Sequence, residues 1–228
     1  MSRLFSPGGR AALARLVDAG ALFGFDFDGT LAPIRPTPAE VAMDARTGAA
    51  FAQLTQRLPV AVISGRGAAD VRARLPGAPC WVLGNHGAEG MPADDGRRLA
   101  AQEAVCAAWH AQLGGLATEA GILLEDKRYT LSLHYRQAPD RDAARARLAA
   151  LAQALRPAPL VEHGKCVLNL LPAGSIDKFA ALQALARLHA PDAPAFFIGD
   201  DENDEKVFRR APPDWVTVKA GGGPSAAR

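Results

Sequence analysis

Cysteine is scarce in this chain: Cys80, Cys106 and Cys166 are the three among 228 residues. Their number is odd and their spacing fits no metal-ligand pattern, so the expectation is three reduced thiols in a cytoplasmic protein. Net charge is nearly absent. The 26 Lys and Arg residues against 24 Asp and Glu leave +2, which gives no basis for nucleic-acid binding by charge. No apolar stretch is long enough to span a membrane, and Met1 to Arg10 holds no apolar core of signal-peptide length. Neither nucleic acid nor membrane is therefore an expected partner, and a soluble cytoplasmic protein follows. Internal repeats are missing too. What the chain does hold is 49% hydrophobic residues, enough for one large domain or a domain with a smaller companion.

Strand and helix signals alternate. Ala11 to Ala19 has helical composition, and Ala21, Leu22, Phe23 and Phe25 read as a short buried strand. Pro33, Pro36 and Pro38 mark a loop, Asp44 to Leu58 has helical periodicity, and Val60 to Ile63 is a continuous apolar strand. A helix over Ala68 to Leu75 and a strand over Cys80 to Leu83 complete a β-α-β-α-β rhythm. That rhythm predicts a parallel sheet covered by helices on both faces. The middle third differs: a helix over Arg98 to Leu113, strands over Gly121 to Glu125 and Tyr129 to Arg136, a helix over Asp140 to Leu155, then strands over Leu160 to His163 and Lys165 to Leu170. The scattered arginines of the Asp140 to Leu155 helix read as a solvated face. This small α+β module splits the parallel sheet into two halves, giving a core over 1–96 and 172–228 with an insertion over 97–171. Beyond it come a helix over Lys178 to His189, a strand over Ala195 to Ile198, a helix over Lys206 to Arg210, a strand over Trp215 to Lys219 and a loose Gly221 to Pro224 tail.

The polar motifs sit at the carboxyl ends of the expected strands, where ligands bind in such sheets. Asp26 and Asp28 flank Phe27, with Gly29 as the turn that ends the strand. Two carboxylates spaced i, i+2 can point toward one pocket. There one can attack an electrophile while the other handles the leaving group's proton. Two acids this close repel each other unless a cation or shared proton intervenes, so a divalent metal is expected. Ser64 can donate to a phosphate oxygen or act as an ordinary helix cap. Lys178 at a helix start is disfavoured by the helix dipole, which hints at an anionic partner, although exposure alone explains many lysines. The acidic run from Asp200 to Glu205 is denser than capping needs, and a carboxylate there would complete an oxygen-rich Mg2+ site.

Asp26-Phe27-Asp28-Gly29-Thr30, Ser64, Lys178 and Gly199-Asp200-Asp201-Glu202-Asn203-Asp204 resemble, in order, the four motifs of the haloacid dehalogenase (HAD) superfamily of phosphatases. A finer resemblance, covering Ala21 to Gly222, is to the trehalose-6-phosphate phosphatase family. It rests on Ile63-Ser64-Gly65-Arg66, Gly84-Asn85-His86-Gly87-Ala88-Glu89, Leu133-His134-Tyr135-Arg136, Gly164-Lys165-Cys166-Val167 and the run from Gly199 to Phe208. The resemblance implies an α/β fold, a Rossmann-like parallel-sheet HAD core with an inserted C2-type α+β cap. It implies Asp26 as nucleophile forming an aspartyl-phosphate and Asp28 as acid and then base. Mg2+ would be held by the Asp26 carboxylate, the Asp28 carbonyl and Asp200, with Asn203 and Asp204 orienting metal-bound waters. Ser64 and Lys178 would clamp the phosphoryl group. Arg66, Asn85, His86 and Glu89 at the rim, with Lys127, His134, Arg136 and Asn169 from the cap, would meet a small sugar phosphate. Arg66 could reach phosphate or sugar, and His134 and Arg136 could equally form the wet face of a half-exposed strand.

The chain departs from the family pattern where Asn169 replaces the usual glutamate, Leu171 a common basic residue and Phe179 a glycine. Asn169 can still hydrogen-bond a hydroxyl, without the strength of a charged acceptor. The resemblance also implies a closing helix beyond Arg228. The function expected is hydrolysis of trehalose 6-phosphate in trehalose synthesis. Its alternatives are a phosphatase for another phosphorylated sugar or glycoside, and a non-catalytic module paired with a trehalose-phosphate synthase.

Overall fold

A computed structural model describes residues 4–75, 77, 79–92 and 96–228. The chain divides into two compact units, Met1–Met91 with Asp177–Arg228, and Pro92–Ile176.

In the first unit, five strands form a parallel sheet: β1 (Leu22–Phe25), β2 (Val60–Ile63), β3 (Trp81–Leu83), β8 (Ala195–Gly199) and β9 (Val216–Lys219), in the order β3-β2-β1-β8-β9. All four pairings are parallel, and β1 is central, with Phe25 opposite Val62 on one side and Ile198 on the other. The strands are short because both faces are buried, and short apolar runs suffice. On one face Leu16 of α1 (Pro7–Asp18), Phe51 of α2 (Ala45–Thr55) and Val71 of α3 (Ala68–Arg74) pack with Phe23, Val62 and Phe196. On the other, Leu182 and Leu185 of α6 (Lys178–His189) and Phe208 of α7 (Glu202–Arg210) are buried, with the Phe208 ring centroid 6.0 Å from that of Phe197.

Several helix starts are set by side-chain caps. Ser6 accepts from the Gly9 N–H ahead of Pro7, which explains why α1 begins earlier than its apolar pattern does. Asp44 and Asp177 cap α2 and α6. An equal shift occurs at α7, which begins at Glu202 and not near Lys206. Asp201 and Asp204 form a reciprocal capping box, so the acidic run is itself the first helical turn, where the dipole favours negative charge. The tail also differs. Past the Gly221 to Gly223 bend, the Ala226 N–H donates to Glu205 at 2.9 Å and Arg228 pairs with Thr217 through both backbone groups.

The second unit is an antiparallel sheet of β4 (Leu123–Asp126), β5 (Leu131–His134), β7 (Val167–Leu171) and β6 (Leu160–Gly164), in the order β4-β5-β7-β6, with helices α4 (Arg97–Gln112) and α5 (Arg141–Ala154). Its two faces follow the two-residue period of strands. Leu131, Leu133, Leu168 and Leu170 bury one face against Trp109, Cys106 and Leu148 of the helices. The register places Glu125, Ser132, Asn169 and Glu162 in one row across all four strands on the opposite face.

The three cysteines are unbridged, and burial pushes the Cys80 thiol up to about 11 and that of Cys106 up to about 12. Among the described residues no helix is long and apolar enough to cross a membrane.

Trp109 is fully buried, and its indole N–H donates to the Pro157 carbonyl at 2.6 Å. Trp109→Ala is expected to destabilise the chain by about 3–5 kcal/mol through the cavity it leaves. Urea unfolding measures this, and a midpoint equal to wild type would remove Trp109 as the hub of the second unit.

Candidate active site

The central position of β1 decides which residues meet. Asp26, just beyond its carboxyl end, donates its N–H to the Ile198 carbonyl of β8 at 2.9 Å. On the other side, Ser64 follows β2 and donates its N–H to Leu83 of β3, while the His86 N–H reaches the Ser64 carbonyl at 2.8 Å. The motif turn, the β2 exit and the acidic run after β8 therefore lie side by side at one sheet edge.

Lys178 stands at the centre. Its ammonium donates to Asp26 Oδ1 at 2.7 Å and to Asp204 Oδ1 at 2.8 Å, with all three side chains almost completely buried. Its place at the first turn of α6, which opposes the dipole, is explained by these anions. Burial alone would lower the Lys178 pKa, but Asp204 and Asp26 override it and hold it well above the ordinary value. Asp26 is pushed well above the usual carboxylate range, first by burial and then by Asp204 and Asp201, with Lys178 opposing. Burial also raises Asp204. Asp201 goes the other way: Lys178 and backbone N–H donors from Asp204 and Asn203 outweigh its burial and lower it.

Asp26, Asp200 and Asp204 offer oxygen atoms all within 4.8 Å of one another. Two glycines permit this approach. A Cβ on Gly29, whose φ is +90°, would lie 2.3 Å from Asp200 Oδ2, and one on Gly199 would lie 2.2 Å from Asp204 Cγ. Two buried carboxylates on one ammonium, with Asp200 close beside them, leave an excess of negative charge, which low-dielectric surroundings penalise. All the donors are hard oxygens, so the set fits a divalent cation such as Mg2+. Asp204 is the most constrained of the three. Its Oδ1 holds Lys178 and its Oδ2 accepts the N–H groups of Asp200 and Asp201 at 2.9 and 3.0 Å. Asn203 is buried in the same turn, its N–H on Asp201.

Asp28 does not share the Asp26 pocket through strand alternation. The strand ends at Phe25, and each carboxylate has its own cation: Lys178 for Asp26, and Arg66 for Asp28, through two bonds of 2.7 Å. Arg66 in turn reaches Asp70 at 2.8 Å. The Ser64 hydroxyl accepts from the Arg66 N–H at 3.1 Å, an assignment that leaves its O–H to donate. The Thr30 hydroxyl, for which the sequence suggested no role, is buried with no hydrogen-bond partner among the described residues.

The rim loop is held internally. Asn85 is fully buried and donates to Glu89 Oε1 at 2.7 Å, and the same oxygen accepts the Ala68 N–H at the start of α3. His86 is buried, with its ring stacked where a side chain on Gly65 would be, 2.7 Å from that Cβ position. Asn85 and His86 both carry left-handed backbone, φ 50° and 59°, a conformation that costs about 1–3 kcal/mol per residue and concentrates at functional sites.

Within the second unit, Lys127, His134 and Asn169 gather on the polar face. Lys127 donates to Ser132 at 2.6 Å, Ser132 to Asn169 at 2.6 Å, and His134 lies 2.7 Å from Glu125. Arg136 does not join them; it donates to the Lys165 carbonyl. Glu125 and Ser132 were not singled out by sequence, although two-residue spacing from Lys127 and His134 marks their face.

A family model described as trehalose-phosphatase matches residues 24–217. A trehalose-phosphate phosphatase of Mycobacterium marinum is 35% identical over 213 residues, covering 85% of this chain and 52% of that protein. A probable trehalose-phosphate phosphatase of Sinorhizobium fredii is 34% identical over 204 residues, covering 87% of this chain and 76% of that one. The chain thus spans about half the length of the mycobacterial relative. A crystal structure of a trehalose-6-phosphate phosphatase related protein superposes with a TM-score of 0.71 at 24% identity, over 91% of this chain and 90% of that one, and shares the fold.

Lys178→Met removes the group that opposes the raised Asp26 pKa. An acid whose folded pKa exceeds its unfolded value binds an extra proton when folded, so its cost to stability grows as pH rises through that interval. The variant is expected to lose about 3–5 kcal/mol at pH 7, the scale of a broken buried ion pair, and to recover part of it toward pH 5. Denaturant unfolding at both pH values checks this; a deficit independent of pH would refute the assignment.

Proposed function

The chain belongs to the trehalose-phosphatase family, and from that membership we propose that it is a Mg2+-dependent phosphatase that hydrolyses trehalose 6-phosphate to trehalose and phosphate. The observation that carries this reading is Asp26, buried at the end of the central strand, held by Lys178 and grouped with Asp200 and Asp204.

In the first half-reaction, an Asp26 carboxylate oxygen attacks phosphorus. The bond from phosphorus to the sugar oxygen breaks, and Asp28 gives that oxygen a proton, leaving an aspartyl-phosphate on Asp26. In the second, Asp28 takes a proton from water as the water oxygen attacks phosphorus, and the bond to Asp26 breaks. Lys178 orients the Asp26 carboxylate through one oxygen, which leaves the other to attack. Ser64 and Lys178 supply donors for the phosphoryl oxygens. Asp26, Asp200 and the Asp28 carbonyl would hold Mg2+, which offsets charge on the transferring group. Asn203 and Asp204 orient the surrounding groups through the α7 turn.

The substrate is an array of hydroxyls, which requires side chains that both donate and accept. Within the second unit, Lys127, Glu125, Ser132, His134 and Asn169 provide both kinds. The site acts on a small sugar phosphate; the cytoplasm is where such a substrate would be met.

Asp26→Asn is nearly isosteric and is expected to lower phosphate release at least about a thousandfold while the unfolding curve is retained. Chelation by EDTA is expected to stop turnover and added Mg2+ to restore it. A phosphate-release screen is expected to favour trehalose 6-phosphate over sucrose and glucose phosphates by about tenfold or more in kcat/KM. Equal rates across the three would replace trehalose by a broader sugar-phosphate class, and an active Asp26→Asn would remove the nucleophile.

A further inference from the structure

Arg66, Asp70 and Arg74 repeat every four residues and alternate in charge, continuing from Asp28 as a chain of ion pairs. Arg66 grips Asp28 with Nε and Nη2 at 2.7 Å each, while its Nη1 donates to Asp70 Oδ2 at 2.8 Å. Asp70 Oδ1 accepts from Arg74 at 2.8 and 3.1 Å, and Arg74 Nη1 donates to the carbonyls of Val41 at 2.5 Å and Ala39 at 3.3 Å. The chain therefore runs from the motif turn to the backbone of the loop after β1.

We propose that Asp70 and Arg74 are positioning residues that act through Arg66 to hold the Asp28 carboxylate in one orientation for proton transfer. The inference rests on the reading of Asp28 as the acid and base of a phosphatase. Isolated exposed i,i+4 pairs contribute little, but this pair continues into a buried one, since the Arg66 side chain is 8% exposed against 42% for Asp70. Both edges of the guanidinium are engaged, and its carbon lies 6.0 Å from the centroid of the Phe27 ring, between the two motif aspartates. Burial would lower the Arg66 pKa, and Asp28 and Asp70 together override it. A planar fork fixed on one carboxylate alone can tilt with it; a second carboxylate on the opposite edge, itself clamped by Arg74, fixes the plane. The same three nitrogens that hold Asp28 and Asp70 are thereby committed within the chain, so Arg66 orients a catalytic acid in place of serving mainly as a sugar or phosphate clamp. Small misplacements of such a group reduce rates strongly.

The test uses leaving groups that differ in their need for a proton. A sugar alkoxide needs one, and p-nitrophenolate departs without one. Single-turnover release of the leaving group is measured with Mg2+ present for wild type, Asp70→Asn, Arg74→Gln and Asp70→Glu, on a sugar phosphate that the wild type turns over and on p-nitrophenyl phosphate. Asp70→Asn and Arg74→Gln are expected to slow sugar release about tenfold, with KM and the p-nitrophenolate rate held within about twofold, and Asp70→Glu to restore most of the loss. Equal slowing of both leaving groups, or no slowing, in variants with wild-type thermal midpoints would overturn the positioning role and leave the phosphatase reading intact. A wild type that releases phosphate from neither substrate would fail both.

Discussion

The ammonium of Lys178 is the contact on which the first unit's polar end depends. Asp26 and Lys178 are 152 residues apart in sequence, and Asp204 belongs to a third element, yet one buried cation satisfies both carboxylates. Without it, β1, α6 and α7 would bring like charges together in a medium that amplifies their repulsion. The apolar layers on both sheet faces supply the rigidity that makes this close approach possible, and the glycines at 29 and 199 remove the atoms that would prevent it.

The second cation, Arg66, explains why two neighbouring aspartates sit in different environments. Asp26 is enclosed, gripped at one oxygen and raised in pKa by burial. Asp28 is held at both oxygens by a guanidinium at a partly open position. These environments are the ones the proposed nucleophile and proton carrier call for, and they arise from which strand exit lies beside each residue: β8 and α6 for Asp26, β2 for Asp28. The order β3-β2-β1-β8-β9 thus sets the two environments apart.

Much of this was legible in the sequence, because strands buried on both faces announce themselves. Val60 to Ile63 and the helix from Lys178 to His189 have the limits expected of them, and the parallel rhythm and inserted α+β unit are both present. The polar motifs were also visible, since each follows an apolar run. What sequence concealed was mutual geometry. The i, i+2 reading of Asp26 and Asp28 presumed a strand that ends one residue too soon. Asp201 looked like one acid of many, whereas its side chain caps α7 and moves the helix start to Glu202. Asn85 and Glu89 read as polar rim residues, but their bonds to each other and to Ala68 appear only once the loop has folded back. Spacing along the chain carries local periodicity; it does not carry which distant cation a carboxylate will meet.

The parallel pairing of β1 with β8 carries a consequence for biosynthesis. Leu22 pairs with Ala195 and Phe25 with Ile198, so the central strand keeps an open hydrogen-bonding edge until β8, which follows the whole second unit in sequence, is available to pair. The second unit is one continuous segment built from antiparallel neighbours, and such local pairings close faster than distant ones. The insertion therefore closes on local pairings, whereas the second edge of β1 waits for a distant one, and an unpaired strand edge is a template for other chains.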